Sequence, residues 1–213
     1  MKKYWTVVLI TLAAAMSLIG CTGKVRYPTY YTLQLAPPLD PPAQEGIRAS
    51  IAVREFRSPA YLRQGPIAYK ASPEQIGFYD YHRWAEDPRE SVTNVVTDRL
   101  RASGNFSQVK LYDGRLNVDY VLGGRLEDLE EIDYEGGVKV QVAISAQMMS
   151  VATGTTVWTN SVSEVGTVTQ RDVPGVVSAM NAAMGRAIDK LLSPLPIRVP
   201  IKANEAAADA AGR

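Results

Sequence analysis

The sequence predicts an α+β fold, in which a mixed, mostly antiparallel sheet carries two helices packed on one face. Two segments place apolar residues three or four apart, as amphipathic helices do, and roughly seven segments alternate between apolar and polar residues, as strands do. Short turns separate most of these strands, which favours antiparallel hairpins. A chain of 213 residues can bury a sizeable core within one domain.

The first two strands are expected around a proline-rich stretch. Residues 21–46 hold several prolines and predict a stiff, extended tether with a first strand near residues 30–35. Residues 47–56 predict a second strand, because their apolar side chains recur at every second position. The main domain is therefore expected to span residues 47–195, followed by a disordered, alanine-rich tail over residues 196–213.

A hairpin and the first helix come next. Residues 67–70 and 75–79 predict two short strands around a Ser-Pro turn. Asp87 is a good N-cap for a helix with proline at its first position and glutamate at its third. Gly104 is expected just beyond its last turn. The predicted buried stripe of this helix consists of Val92, Val95, Val96 and Leu100.

Four strands and the second helix complete the chain. Strands are predicted at residues 106–112, 120–126, 138–148 and 156–165. A glycine pair, Gly123-Gly124, is interpreted as a bulge or a point of close packing. The clearest strand turns six residues inward: Val138, Val140, Val142, Ile144, Ala146 and Met148. The predicted helix at 174–192 buries Val177, Met180, Met184, Ile188 and Leu191.

The first 20 residues are interpreted as a lipoprotein signal peptide. Lys2 and Lys3 form a basic start, an apolar run follows, and Leu18-Ile19-Gly20-Cys21 resembles the lipobox of bacterial lipoproteins. A retained transmembrane anchor is the alternative, since the apolar run is near the shortest length that spans a bilayer. The lipobox favours cleavage, because it stands where a membrane anchor would carry a stop-transfer pattern.

Cys21 is the only cysteine, so no disulfide can form within the chain. A lipid on its sulfur explains an unpaired cysteine in an exported protein, and the lipobox implies fatty acyl chains such as palmitate. At about 0.8 kcal/mol per buried methylene, two or three chains give a stable anchor. Thr22 follows the cysteine where aspartate would signal retention in the inner membrane. We therefore expect a periplasm-facing protein on the outer membrane.

Charge and missing residue types exclude several functions. Without Lys2 and Lys3 the chain has 21 basic and 22 acidic side chains, so no nucleic-acid partner is expected. His82 is the only histidine, which leaves no histidine cluster for a metal and a single candidate for a catalytic base. No glycine-rich phosphate loop is present. We expect no enzyme, no catalytic residue, no cofactor and no metal.

Two clusters leave alternatives open. Residues 127–135 are rich in acidic side chains and are interpreted as a solvated strand end, with a carboxylate pair or a cation site as the alternative. The aromatic segment 61–84 indicates either core and hairpin packing or a partner-binding surface. The residues expected to bind a partner in the second case are Tyr61, Leu62, Tyr81, Arg83 and Trp84.

The order of several short motifs resembles one protein family. These motifs are Tyr30-Tyr31-Thr32-Leu33, Pro59-Ala60-Tyr61-Leu62, Ile67-Ala68-Tyr69-Lys70 and Tyr81-His82-Arg83-Trp84-Ala85-Glu86. The sequence resembles the ABC-type transport auxiliary lipoproteins, a family that includes the paraquat-inducible operon lipoprotein, over residues 30–192.

This resemblance implies a role in transport between membranes. Members of the family work with mammalian-cell-entry (MCE) domain proteins and an inner-membrane ABC transporter to move lipids or other hydrophobic molecules between the two membranes. The lipoprotein would dock the periplasmic MCE assembly at the outer membrane and would form a homo-oligomer. An envelope-assembly lipoprotein that regulates cell-wall synthesis, or forms part of a secretion channel, is the alternative.

Overall fold

The computed structural model describes residues 25–35, 49–115, 117–134 and 136–195. The signal peptide, Cys21, much of the tether and the tail predicted over residues 196–213 lie outside this part of the chain. The described elements are β1 (Thr29–Tyr31), β2 (Ser50–Val53), a 3-10 helix (Ala60–Arg63), β3 (Pro66–Ser72), β4 (Gln75–Trp84), α1 (Pro88–Ala102), β5 (Gln108–Leu111), β6 (Tyr120–Ile132), β7 (Lys139–Ser150), β8 (Thr156–Thr167) and α2 (Val173–Leu192).

The long strand β6 organises one eight-stranded sheet. Along one side it pairs antiparallel with β7, which pairs antiparallel with β8. On the other side its first half pairs parallel with β2, and β5 lies beyond β2. Its second half pairs parallel with β3, followed by antiparallel β4 and by β1 at the edge. The prediction of a mixed, mostly antiparallel α+β sheet is confirmed.

Both helices cover the same face of this sheet. Alternate residues of β7 from Val140 to Met148 are buried, as are Met180 and Met184 of α2 and Val92 and Val96 of α1. All of them belong to one hydrophobic core. An ion pair between Arg99 of α1 and Asp189 of α2 (3.3 Å) joins the two helices directly. The predicted packing of two helices on one face is confirmed.

The local signals for α1 act as the sequence predicts. The Asp87 carboxylate accepts a hydrogen bond from the backbone N–H of Arg89 (3.0 Å), and Pro88 opens the helix. Ser103 caps the other end, and Gly104 follows it with a φ of 64°. Glycine adopts this left-handed conformation without steric cost, which is why the helix ends there.

The acidic segment is the clearest difference from the prediction. β6 does not stop near residue 126 but continues to Ile132, because β7 on one side and β3 on the other pair with its second half. A register shift between Leu126 and Asp128 resets the alternation. Glu130 and Glu131 are therefore buried within the sheet. The interpretation of this segment as a solvated strand end is wrong for these two residues.

The first strand is shorter than predicted. Only Thr29–Tyr31 pairs with β4, and the chain then leaves the sheet edge. Leu33 is buried in the core, and the N–H of Gln34 donates to the side-chain oxygen of Asn181 in α2. Part of the predicted tether, at Leu33 and Gln34, therefore packs against the main domain.

Candidate functional site

The residues expected to bind a partner are divided between core and surface. Leu62 and Trp84 are 1% and 5% exposed, so in this chain they pack inward and a partner cannot contact them directly. Tyr61 and Arg83 are half-buried, whereas Tyr81 is 42% exposed. The core-packing interpretation of the aromatic segment therefore holds for Leu62 and Trp84, and the partner-binding interpretation stays a prediction for its exposed part.

The exposed part lies at the edge formed by β1 and β4. Tyr27 and Tyr30 are 82% and 60% exposed, and Tyr30 lies beside Arg83 in the parallel register. The guanidinium of Arg26 lies 5.5 Å from the centre of the Tyr81 ring, a cation–π contact. We call Tyr27, Tyr30, Tyr81 and Arg83 the aromatic edge.

Sequence reasoning missed Tyr27 and Tyr30 as members of this surface. The sequence predicts a strand at Tyr30 but not which face its side chain occupies, and it places Tyr27 in the tether. The signal was the pair Tyr30-Tyr31: neighbours in a strand point to opposite faces, so at an edge only one of them can face the core. Tyr31 packs against the core and Tyr30 is exposed.

His82, the one candidate for a catalytic base, is held by aromatic neighbours. Its Nδ1 atom lies 3.0 Å from the hydroxyl oxygen of Tyr31, and the Tyr79 ring meets the imidazole edge-on at 5.7 Å. Burial and the nearby Asp172 carboxylate raise the pKa of Tyr31. Among the described residues no carboxylate forms an ion pair with His82. These contacts are those of a packed histidine.

Glu130 is the centre of a buried ionic cluster. Its side chain is fully buried, with Oε1 2.5 Å from Nζ of Lys70 and Oε2 accepting a hydrogen bond from the hydroxyl of Tyr61 (3.2 Å). The hydrogen bond to Glu130 raises the pKa of Lys70, and burial together with the nearby carboxylates raises the pKa of Tyr61. Lys70 therefore supplies the positive charge that a buried carboxylate requires.

Glu131 lies in a different environment. It accepts a hydrogen bond from the hydroxyl of Tyr79 (2.7 Å), and the Tyr69 ring packs on Tyr79 at 5.3 Å. No cation pairs with it among the described residues, and burial raises the pKa of its carboxyl group. Burial and the same hydrogen bond raise the pKa of Tyr79.

The two adjacent carboxylates point to opposite faces of the sheet. In the register with β7, Glu130 lies opposite Gln141 and Glu131 opposite Val140, whose side chain is buried beneath the helices. Glu130 and Glu131 therefore do not form a carboxylate pair with each other. No set of three or more potential ligands among the described residues is arranged to bind a metal ion. In the same part of the chain neither helix is long and apolar enough to span a bilayer.

Comparisons with known proteins identify relatives of this fold. A family model described as the ABC-type transport auxiliary lipoprotein component matches residues 31–191. Protein XCC0632 from Xanthomonas campestris is similar in structure, with a TM-score of 0.66 and 15% identity over 77% of this chain and 92% of its own. A second, uncharacterized protein has a TM-score of 0.62 and 14% identity over 80% and 100%. Among curated proteins none matches the chain.

Proposed function

We infer the function from one premise: the chain belongs to the family of ABC-type transport auxiliary lipoprotein components. We propose that it is a non-enzymatic component of an ABC/MCE-type system for lipid transport between membranes. In this role it docks the periplasmic MCE-domain protein at the outer membrane. The match to the family model over residues 31–191 carries the proposal.

The membrane end of this arrangement is a lipid anchor on Cys21. β1 begins eight residues after Cys21, a stretch that reaches at most about 28 Å when fully extended. The anchor therefore keeps the aromatic edge close to the membrane. Thr22, next to the lipidated cysteine, supports the outer membrane as the destination and the periplasm as the compartment of the domain.

The aromatic edge is the proposed docking surface for the MCE-domain protein. Tyrosine and arginine are enriched in the residues that dominate binding energies, because each combines a large apolar surface with a polar tip. Tyr30 on β1 and Tyr81 on β4 are exposed, and Arg83 of β4 lies beside Tyr30 in the register of these two strands. Leu62 and Trp84 would act only indirectly, by supporting this edge from the core.

Self-association is part of the proposal. β8 is a twelve-residue edge strand, and within the described residues its outer side has no partner strand. Long free edges are surfaces on which a further strand can add by backbone hydrogen bonds. We propose that copies of this chain meet through this edge to form a homo-oligomer.

A pull-down from solubilised envelopes tests the docking proposal. The tagged full-length protein is expected to capture the MCE-domain protein and the ABC transporter, and Tyr81→Ala to lose at least about 90% of that capture, since interface tyrosines often contribute about 2 kcal/mol. Tyr134→Ala is the matched control, because this tyrosine is 37% exposed and lies outside the aromatic edge.

Two results would contradict the proposal. One is the absence of any association between the purified proteins at micromolar concentrations. The other is capture of a cell-wall synthase in place of transport components, which would favour the role in envelope assembly. Equal losses for Tyr81→Ala and Tyr134→Ala would remove the aromatic edge from the docking surface.

A further inference from the structure

An open, polar groove with a volume of about 690 Å³ crosses the sheet face opposite the helices. We call it the arginine groove. Its lining residues contain no apolar side chain larger than that of alanine: Arg54, Glu55, Arg57, Gly123, Gly124, Arg125, Ser145, Ala146, Gln147, Thr159, Asn160 and Ser161. It lies apart from the aromatic edge and takes no part in the proposed docking.

The floor of the groove is formed by two rows of side chains across β6, β7 and β8. In one row Arg125 is followed by Ser145 and Ser161, and in the other Gly123 is followed by Gln147 and Thr159. A Cβ atom at Gly123 would meet nothing within 4 Å, so the space above this row is open. The Ser145 hydroxyl donates to the carboxylate of Glu127 (2.8 Å), so the donors that the floor presents to a ligand are the Gln147 amide and the hydroxyls of Thr159 and Ser161.

Arginine side chains form the wall. Arg57 is fixed beside Arg125, because its N–H donates to the carbonyl of Gly124 (2.9 Å) and its carbonyl accepts from the N–H of Leu126 (2.8 Å). Arg54 enters from the end of β2, and its guanidinium lies 4.6 Å from the centre of the Tyr112 ring. Three cationic groups therefore line one shallow groove.

Only part of this positive charge is neutralised. Arg125 pairs with Glu127 (2.6 Å), while Glu55 pairs with Arg89 of α1 (3.3 Å). Among the described residues neither Arg54 nor Arg57 forms an ion pair. Arg89 is shared with Asp87 (2.9 Å), so Glu55 keeps part of its negative charge in the groove. The three arginines therefore exceed the nearby carboxylates of Glu55 and Glu127 by one positive charge, and Arg54 and Arg57 are the two guanidinium groups left to bind a ligand.

We propose that the arginine groove binds a phosphate group, either in a phospholipid headgroup or in a soluble phosphate compound. The planar guanidinium fork of arginine matches the oxygens of a phosphate and can bind two of them at once. The lining has no apolar side chain larger than that of alanine, so it suits a hydrophilic headgroup better than long acyl chains. The groove therefore recognises the charged part of a ligand and leaves any hydrophobic part outside.

Calorimetric titration of the full-length protein in non-ionic detergent tests this inference. One arm uses glycerol 3-phosphate, and the other uses mixed micelles of phosphatidylglycerol, with diacylglycerol of the same chains as the phosphate-free control. Arg57→Ala is expected to weaken phosphate binding about tenfold, the equivalent of one lost charge-assisted hydrogen bond. Arg171→Ala removes the same charge at an exposed site outside the groove and is expected to bind within about twofold of the wild type.

The two arms separate the sources of the phosphate. Binding of glycerol 3-phosphate alone would identify a soluble compound, and binding of phosphatidylglycerol alone would identify a lipid headgroup. No binding in either arm, or equal weakening by Arg57→Ala and Arg171→Ala, would overturn the proposal. The proposal would also be overturned if the wild type bound no phosphate compound and Arg57→Ala lost a protein partner that the wild type binds. That result would indicate that the groove binds an acidic protein surface instead. None of these results depends on capture of the MCE-domain protein.

Discussion

The ring of Phe56 lies against the backbone of Gly124, and a Cβ atom at residue 124 would stand 2.1 Å from its Cε1 atom. The N–H of Phe56 donates to the hydroxyl oxygen of Thr93 in α1 (2.9 Å), and that hydroxyl donates to the carbonyl of Arg89 (2.7 Å). Phe56 therefore links the middle of β6 to α1. The interpretation of this glycine pair as a point of close packing is confirmed for Gly124.

Gly124→Ala is therefore expected to destabilise the protein. The added methyl group must displace the fully packed ring of Phe56, and overpacking of this kind costs about 1–3 kcal/mol. Gly123→Ala is the matched control, since its Cβ atom would enter open space, and its effect should stay within about 0.5 kcal/mol. The measurement is urea unfolding monitored by circular dichroism. Equal stability of the two variants would contradict this account of the packing.

Elements defined by neighbouring residues could be predicted from the sequence. For α1, the N-cap Asp87, the proline after it and Gly104 all act within a few residues of the helix ends. In β7, the alternation from Val140 to Met148 directly reflects one covered and one open sheet face. Such signals need no knowledge of the rest of the fold.

Elements defined by distant partners could not be predicted. The second half of β6 is an interior strand, rather than the edge of a hairpin with β7, because β3 pairs with it at Tyr69 and Lys70, some sixty residues earlier in the chain. Glu130 is buried because Lys70 neutralises it there. A run of acidic residues by itself favours solvent, and only the cross-strand pairing reverses this preference. The groove arginines likewise come together through the register of β2 and β6.

The Lys70–Glu130 pair leads to a prediction about stability. Lys70→Met leaves the fully buried Glu130 carboxylate without its cation and is expected to cost about 3 kcal/mol, as for other broken buried pairs. The double variant Lys70→Met/Glu130→Leu removes both charges and should recover most of this loss. Chemical denaturation of the wild type, of Lys70→Met, of Glu130→Leu and of the double variant completes the cycle. A double variant no more stable than Lys70→Met would show that the pair is not coupled.

Glu131 leads to a pH prediction. Because burial raises the carboxyl pKa in the folded state above its value in the unfolded chain, the folded state binds more protons. The penalty for ionising this group is absent below the unfolded pKa near 4.5 and grows as the pH rises through the folded pKa. Glu131→Gln should therefore gain stability relative to the wild type between pH 4 and pH 7. Glu74→Gln, at an exposed turn, controls for the lost charge, and a flat difference for Glu131→Gln would contradict the prediction.

Glu164 lies in β8 of the same sheet, and its contribution to stability should depend on pH in the opposite direction to that of Glu131. Its carboxylate accepts hydrogen bonds from Lys190 (2.5 Å) and Arg186 (3.1 Å) of α2. The bond from Lys190, followed by the one from Arg186, holds the pKa of Glu164 below its ordinary value despite some desolvation. The stabilisation is therefore present above the unfolded pKa near 4.5 and is lost as the pH falls through the folded pKa.

Glu164→Gln is expected to be less stable than the wild type at pH 7, and this difference is expected to shrink as the pH falls below 4.5 and through the folded pKa. The difference at pH 7 should be about 1 kcal/mol, because both cationic partners are largely exposed and are screened by solvent. It should also shrink at 1 M salt, where the Debye length is about 3 Å. Thermal unfolding across this pH range at two salt concentrations measures both effects. A difference that persists at pH 3 would assign the loss to packing of the side chain between β8 and α2 rather than to its charge.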